Sequence, residues 1–65
     1  MTKYEANTLI DTYKIPRNKD FYTLSTDDVE RVLIVADLVH YKMPVKPIKP
    51  RAYYFYEYLM KCISD

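Results

Sequence analysis

Ala6, Leu9, Ile10 and Tyr13 fall at i, i+3, i+4 and i+7, the spacing of one apolar stripe along a helix. Just before them, Thr2-Lys3-Tyr4-Glu5 has the form of a capping box, with Thr2 accepting from the Glu5 N–H and Glu5 reaching back. Pro16 disfavours helix at the residue preceding it, so the pattern predicts a first helix over about residues 3–14. The period is then lost through Pro16, Asn18 and Asp20, and Phe21, Tyr22 and Leu24 form a short apolar cluster. We read residues 15–24 as a loop pinned by aromatics. An extended segment at 21–24 is the alternative, but no second strand-like run exists for it to pair with.

The second helix has the clearest start. Ser25 is a favourable N-cap, Asp27 and Asp28 face the positive end of the helix dipole, and Leu24 is placed to staple onto Val29. The pattern predicts helix over about 26–42. Val29, Val32, Leu33, Ala36, Val39 and Met43 centre one face, whereas Ile34, Leu38 and Tyr41 fall opposite, among Asp27, Glu30, Arg31 and Asp37. Two apolar stripes on one helix leave two readings of the second: buried by a three-helix packing, or presented to a partner.

Pro44, Pro47 and Pro50 stand at every third position between Lys42 and Arg51, which predicts a stiff polyproline-like connector. Pro50 suits the first position of a third helix over about 50–63, with Ile48 stapling onto Tyr53. There Ala52, Phe55, Tyr56, Leu59 and Ile63 form the core stripe, flanked by Tyr53, Met60 and Cys62. Tyr54, Glu57, Tyr58 and Lys61 point away. The whole chain, residues 1–65, therefore reads as one all-α domain of three helices joined by an aromatic loop and a Pro-rich connector.

Composition sharpens this picture. A 65-residue chain buries only about 60% of the surface its unfolded form exposes, so small domains commonly need a disulfide, a metal or an oligomer. Cys62 is the only cysteine and His40 the only histidine, which rules out an intrachain disulfide and leaves an ordinary zinc site short of ligands. Association with another protein, or with further copies of the chain, is the remaining route. A free thiol and the lack of a signal-peptide pattern predict an intracellular, cytoplasmic setting. The longest apolar run, Val32 to Ala36, is far short of the ~20 residues of a membrane span.

The chain contains no glycine. That excludes P-loops, Rossmann turns and other phosphate cradles that need backbone without a β-carbon against the ligand. We expect no cofactor, no metal and no small-molecule substrate. His40 with Cys62 lacks an orienting third group and an oxyanion motif, and Asp27, Asp28 and Glu30 sit where helix N-termini collect acids in any case. The expectation is therefore not an enzyme.

A net charge of +1 hides two opposed segments. Residues 20–37 carry five acids against Arg31, whereas Lys42, Lys46, Lys49 and Arg51 follow within 38–51 with no acid. Helix-dipole matching accounts for part of this ordering. The basic connector with Tyr54 and Tyr58 offers a way to hold single-stranded nucleic acid, by phosphate contact and base stacking, but the near-neutral total charge weighs against it. A duplex-reading helix-turn-helix needs a shorter turn and a recognition helix richer in Arg, Asn and Gln. Pro44-Val45-Lys46-Pro47-Ile48-Lys49 also matches a P-x-x-P-basic ligand, a short and common pattern that a structural spacer explains as well. The reading that follows is a small protein-binding module, of the accessory or inhibitor kind that phages and mobile elements carry. It would bind through Ile34, Leu38, Tyr41, Tyr54 and Tyr58, oriented by Lys42, Lys46, Lys49 and Arg51. The alternative is a nucleic-acid-binding accessory protein using the same four basic residues with Tyr54 and Tyr58.

Overall fold

Thr2 Oγ1 accepts a hydrogen bond from the Glu5 N–H at 3.1 Å, and helix α1 (Lys3–Tyr13) begins there in a computed structural model that describes residues 1–46 and 48–64. Asp20 caps a single 3₁₀ turn, Phe21–Thr23, through its side chain to the Tyr22 N–H. The expected aromatic loop therefore holds one tight turn of helix and no strand. Ser25 Oγ accepts from the Asp28 N–H and opens α2 (Thr26–Leu38). Helix α3 (Arg51–Ser64) follows the connector, with the Pro50 carbonyl taking its first bond, from the Tyr54 N–H.

The three helices close on one core, and α3 packs against both α1 and α2. Its members are Ala6 and Ile10 of α1, Ile15 and Phe21 of the loop, Val32, Val35 and Ala36 of α2, and Ala52, Phe55, Tyr56 and Leu59 of α3. On α2 the buried set is Val32, Val35 and Ala36, while Leu33 and Val29 are only partly covered. The inward face is thus rotated toward Val35, a residue the hydrophobic projection did not place at its centre. Tyr56 ties the loop to α3: its Oη donates to the Pro16 carbonyl at 2.7 Å and accepts from the Lys19 N–H at 3.3 Å.

Helix α2 stops at Leu38, four residues before the expected Lys42. His40 adopts φ 55°, its N–H donates to the Asp37 carbonyl, and the Tyr41 N–H donates to the Ala36 carbonyl at 2.9 Å. This is a Schellman closure, and its left-handed position is ordinarily a glycine. With no glycine in the chain, a histidine takes it, histidine being among the side chains enriched in that region. Met43, expected on the core face of the helix, consequently lies beyond it and is exposed.

Helix α1 ends in the same way. Lys14 takes φ 56° and the Ile15 N–H reaches back to the Ile10 carbonyl, with Ile10 and Ile15 both buried. A non-glycine residue in this region costs about 1–2 kcal/mol, against about 0.5–1 kcal/mol of extra unfolded-state entropy for glycine. Lys14→Gly is therefore expected to stabilise the fold by about 0.5–1 kcal/mol, a rise of roughly 2–8 °C in Tm for a domain this small. Thermal denaturation followed by circular dichroism checks it, and a fall in Tm would refute this account of the turn.

The connector departs from the sequence expectation at two points. Lys46 adopts φ 56°, which breaks any continuous polyproline helix. Pro47, the middle proline of the expected spacer and of the P-x-x-P pattern, lies outside the described residues. Ile48 does not staple onto Tyr53; it is 89% exposed, and its N–H instead donates to Tyr54 Oη at 3.2 Å. Arg51 pins the connector's end to α2, pairing with Asp37 at 2.5 Å and donating to the Tyr41 carbonyl.

Candidate partner-binding surface

The rotation that buries Val32, Val35 and Ala36 turns Ile34 and Leu38 outward. They lie one turn apart on the solvent face of α2 and are 50% and 52% exposed. Asp27, Glu30 and Asp37 are exposed on the same helix, and Arg31 is held by Asp28 at 2.5 Å across one turn. The surface is an aliphatic pair bordered by charge. Val32, Val35, Phe55, Tyr56 and Leu59 fill the interior without this pair.

Tyr41 does not share that face. Because α2 closes at Leu38, the chain folds back and sets the Tyr41 ring 5.1 Å from Phe55 and 5.7 Å from Tyr58, partly buried against the core. The i, i+4, i+7 stripe drawn for an uninterrupted helix loses its third member for that reason. Tyr58, expected to point away, packs on the same cluster, and its Oη accepts from the Met1 ammonium at 3.2 Å. Burial pushes the Tyr58 phenol up from its ordinary range, and the neighbouring Cys62 thiol adds to this. Tyr54 is also partly covered, edge-on to Tyr53 and bonded to the Ile48 N–H.

The four basic residues are divided in the same way. Arg51 is engaged with Asp37. Lys49 donates to Tyr53 Oη at 2.8 Å with its ammonium 4.0 Å from the ring centre, and that hydrogen bond raises its pKa above the usual lysine value. Lys42 and Lys46 are exposed and make no ion pair among the described residues. Lys49, Arg51, Tyr54 and Tyr58 thus each have a partner within the molecule, whereas Lys42 and Lys46 are exposed.

A second feature escaped the sequence reading. A hollow of about 430 Å³ opens between the first turn of α1 and the end of α2, lined by Met1, Glu5, Val39, His40, Lys42 and Tyr58 among others. It adjoins a shallower one of about 290 Å³, walled by Tyr4, Glu5, Thr8, Leu9 and Val39. Glu5 and Val39 belong to both. Leu9 and Val39 had been assigned to the core, where they sit only at the edge. Tyr4, 80% exposed, was legible as a clue, since it is an aromatic residue off the α1 stripe.

Among the described residues no three His, Cys, Asp or Glu side chains converge as a metal site, and no helix is long and apolar enough to cross a membrane. No family model, curated protein or solved structure matches this chain. The chemistry of the surface is thus the whole basis for a functional reading. An exposed aliphatic pair bordered by charged side chains has the composition of a macromolecular contact surface.

Proposed function

We propose that this chain is a small intracellular protein-binding module, acting by stoichiometric contact rather than by catalysis, and that the outer face of α2 is its interface. The observation that carries the reading is the half-exposure of Ile34 and Leu38 beside a core that is already filled by Val32, Val35, Phe55, Tyr56 and Leu59. Interface centres combine large apolar anchors with a charged rim, and α2 supplies both. An accessory or inhibitor role, of the type mobile elements and phages encode, fits a small chain that presents an aliphatic pair on the outer face of one helix. Tyr54 and Tyr58, being partly covered, contribute at the margin or through the scaffold.

The test is capture of binding proteins by the tagged chain from its native cell, compared with Ile34→Glu and Leu38→Glu. Both positions face solvent, so the variants are expected to keep their helical spectrum and stability within about 0.5 kcal/mol. Retention of the partner should fall about tenfold or more, since burying an unpaired carboxylate at an apolar contact is costly. Capture unaffected by either substitution removes α2 from the interface. Retention of nucleic acid that weakens steeply with salt, and is abolished by Lys46→Glu with Lys49→Glu, would favour the nucleic-acid role instead.

A further inference from the structure

Glu5, His40 and Lys42 all line the hollow between the first turn of α1 and the end of α2, and none of them makes an ion pair among the described residues. The capping box at the start of α1 is closed on one side only. Thr2 accepts from the Glu5 N–H, but the Glu5 carboxylate makes no hydrogen bond back among the described residues. Lys42 reaches the hollow because α2 closes at Leu38 and the left-handed His40 turns the chain back. The Met1 ammonium lies there too, donating to Tyr58 Oη at 3.2 Å.

The hollow therefore holds two ammonium groups and one carboxylate. That carboxylate stands at the border with the neighbouring hollow, since Glu5 and Val39 line both. Past Glu5 the walls are Tyr4, Thr8, Leu9 and Val39, and the Thr8 hydroxyl already donates to the Tyr4 carbonyl at 2.9 Å. The second compartment is thus apolar in character. A ligand fitted to this order carries a single negative group, a hydrogen-bond donor beside it and an apolar group beside that.

A phosphate ester does not meet the order, because its multiple charge would face Glu5 with no glycine-bearing loop to cradle it. A fatty acid supplies charge and hydrocarbon but leaves the Glu5 carboxylate without a donor. The last residue of a polypeptide carries all three groups on one carbon. We infer that the two hollows form one site for the C-terminus of another polypeptide that ends in an apolar residue. Its carboxylate lies toward Lys42 and the Met1 ammonium, its backbone N–H toward Glu5, and its side chain along Leu9 and Val39 beside the exposed Tyr4 ring. Capture of a terminal carboxylate is a recurrent way of recognising a chain end, and bonds between ionised partners are the strong ones. The first compartment, about 430 Å³, lies within the roughly 300–1,000 Å³ of sites that enclose small ligands. This site uses neither Ile34 nor Leu38 and stands independently of the outer face of α2.

An NMR titration of the whole chain with an acetylated tripeptide ending in leucine tests the site. With a free terminal carboxylate the peptide is expected to shift the Leu9 and Val39 methyls and the His40 ring, saturating as peptide is added. The same peptide closed as a C-terminal amide should bind at least about tenfold more weakly, as should the free peptide to Lys42→Glu, since each removes a charge-assisted contact. Glu5→Gln should weaken the peptide severalfold and leave octanoate, a carboxylate with no N–H, unaffected. Both substituted side chains are exposed, so the helical spectrum should be unchanged. Equal binding of acid and amide, or binding indifferent to Lys42→Glu, overturns the inference. Octanoate binding as tightly as the peptide would assign the hollow to a fatty acid and overturn it as well, and so would Leu9 and Val39 methyls that stay in place at millimolar peptide.

Discussion

Phe55→Ala is expected to leave the chain largely unfolded near body temperature. Phe55 is fully buried and holds the Tyr41 ring on one side and the Tyr58 ring on another. Truncating a buried phenylalanine costs about 3–5 kcal/mol in lost transfer energy and residual cavity. A chain of 65 residues has roughly 3–10 kcal/mol of stability in total, so this one change consumes a large part of it or all of it. Helical circular dichroism with a urea titration reads the loss directly. Leu38→Ala, which removes a comparable aliphatic group from the solvent face, should shift the same titration by no more than about 0.5 kcal/mol. Equal losses at the two positions would mean that the second stripe of α2 is core.

The second large effect is expected at Tyr56, where one hydroxyl closes a loop forty residues away in sequence. Tyr56→Phe keeps the buried ring but removes the donor to the Pro16 carbonyl and the acceptor for the Lys19 N–H. Stranding partly buried polar groups costs about 1–3 kcal/mol. The same substitution should change the alkaline limb of stability. Burial raises the Tyr56 phenol above its ordinary 10.0, against a lowering hydrogen bond from the Lys19 backbone. Below pH 10 both the folded and unfolded forms are neutral and the contribution is complete. Above it the unfolded chain ionises first, so stability falls as pH rises toward and through the folded value. Tyr58, raised by burial as well, acts in the same direction. Urea midpoints measured between neutral pH and pH about 11 should therefore decline in the wild type and decline less in Tyr56→Phe. A parallel decline in both would show that the clamp does not carry this dependence.

The parts of the fold that were legible in the sequence are those governed by local chemistry. Thr2 and Ser25 cap α1 and α2 as their side chains predict, because an N-cap needs only one acceptor near free N–H groups. Of the α3 stripe Ala52, Phe55, Tyr56, Leu59 and Ile63, the first four are buried and Ile63, at the last turn, is only partly covered. The stops were harder to read. Glycine is the usual mark of a helix end, and in its absence Lys14 and His40 take the left-handed position without announcing it. The error at His40 carried forward: once α2 closes at Leu38, Tyr41 joins Phe55 and Tyr58 instead of Ile34 and Leu38, and Met43 leaves the core face. Val35 was missed because the rotation of α2 is set by where α1 and α3 lie, information that resides in tertiary packing.

For the candidate surface, the same division holds. Helical spacing set Ile34 and Leu38 apart from the main apolar face of α2 but left open whether that second stripe is buried; their half-exposure is fixed by how α1 and α3 pack. Lys49 and Arg51 looked available as charges, but their engagement by Tyr53 and Asp37 depends on how α3 docks. The hollow beside Glu5 and Val39 depends on the placement of α1's first turn against the end of α2, a juxtaposition that no local pattern encodes.

The central claim is that the outer face of α2 is where this protein meets its partner. The methyl NMR resonances of Ile34 and Leu38, followed as a captured protein is added, test it most directly. We expect these methyls to shift or broaden with occupancy while those of Ile10 and Leu59, inside the core, stay in place. Perturbations confined to Val45, Ile48 and the connector, with Ile34 and Leu38 unmoved at saturation, would contradict it.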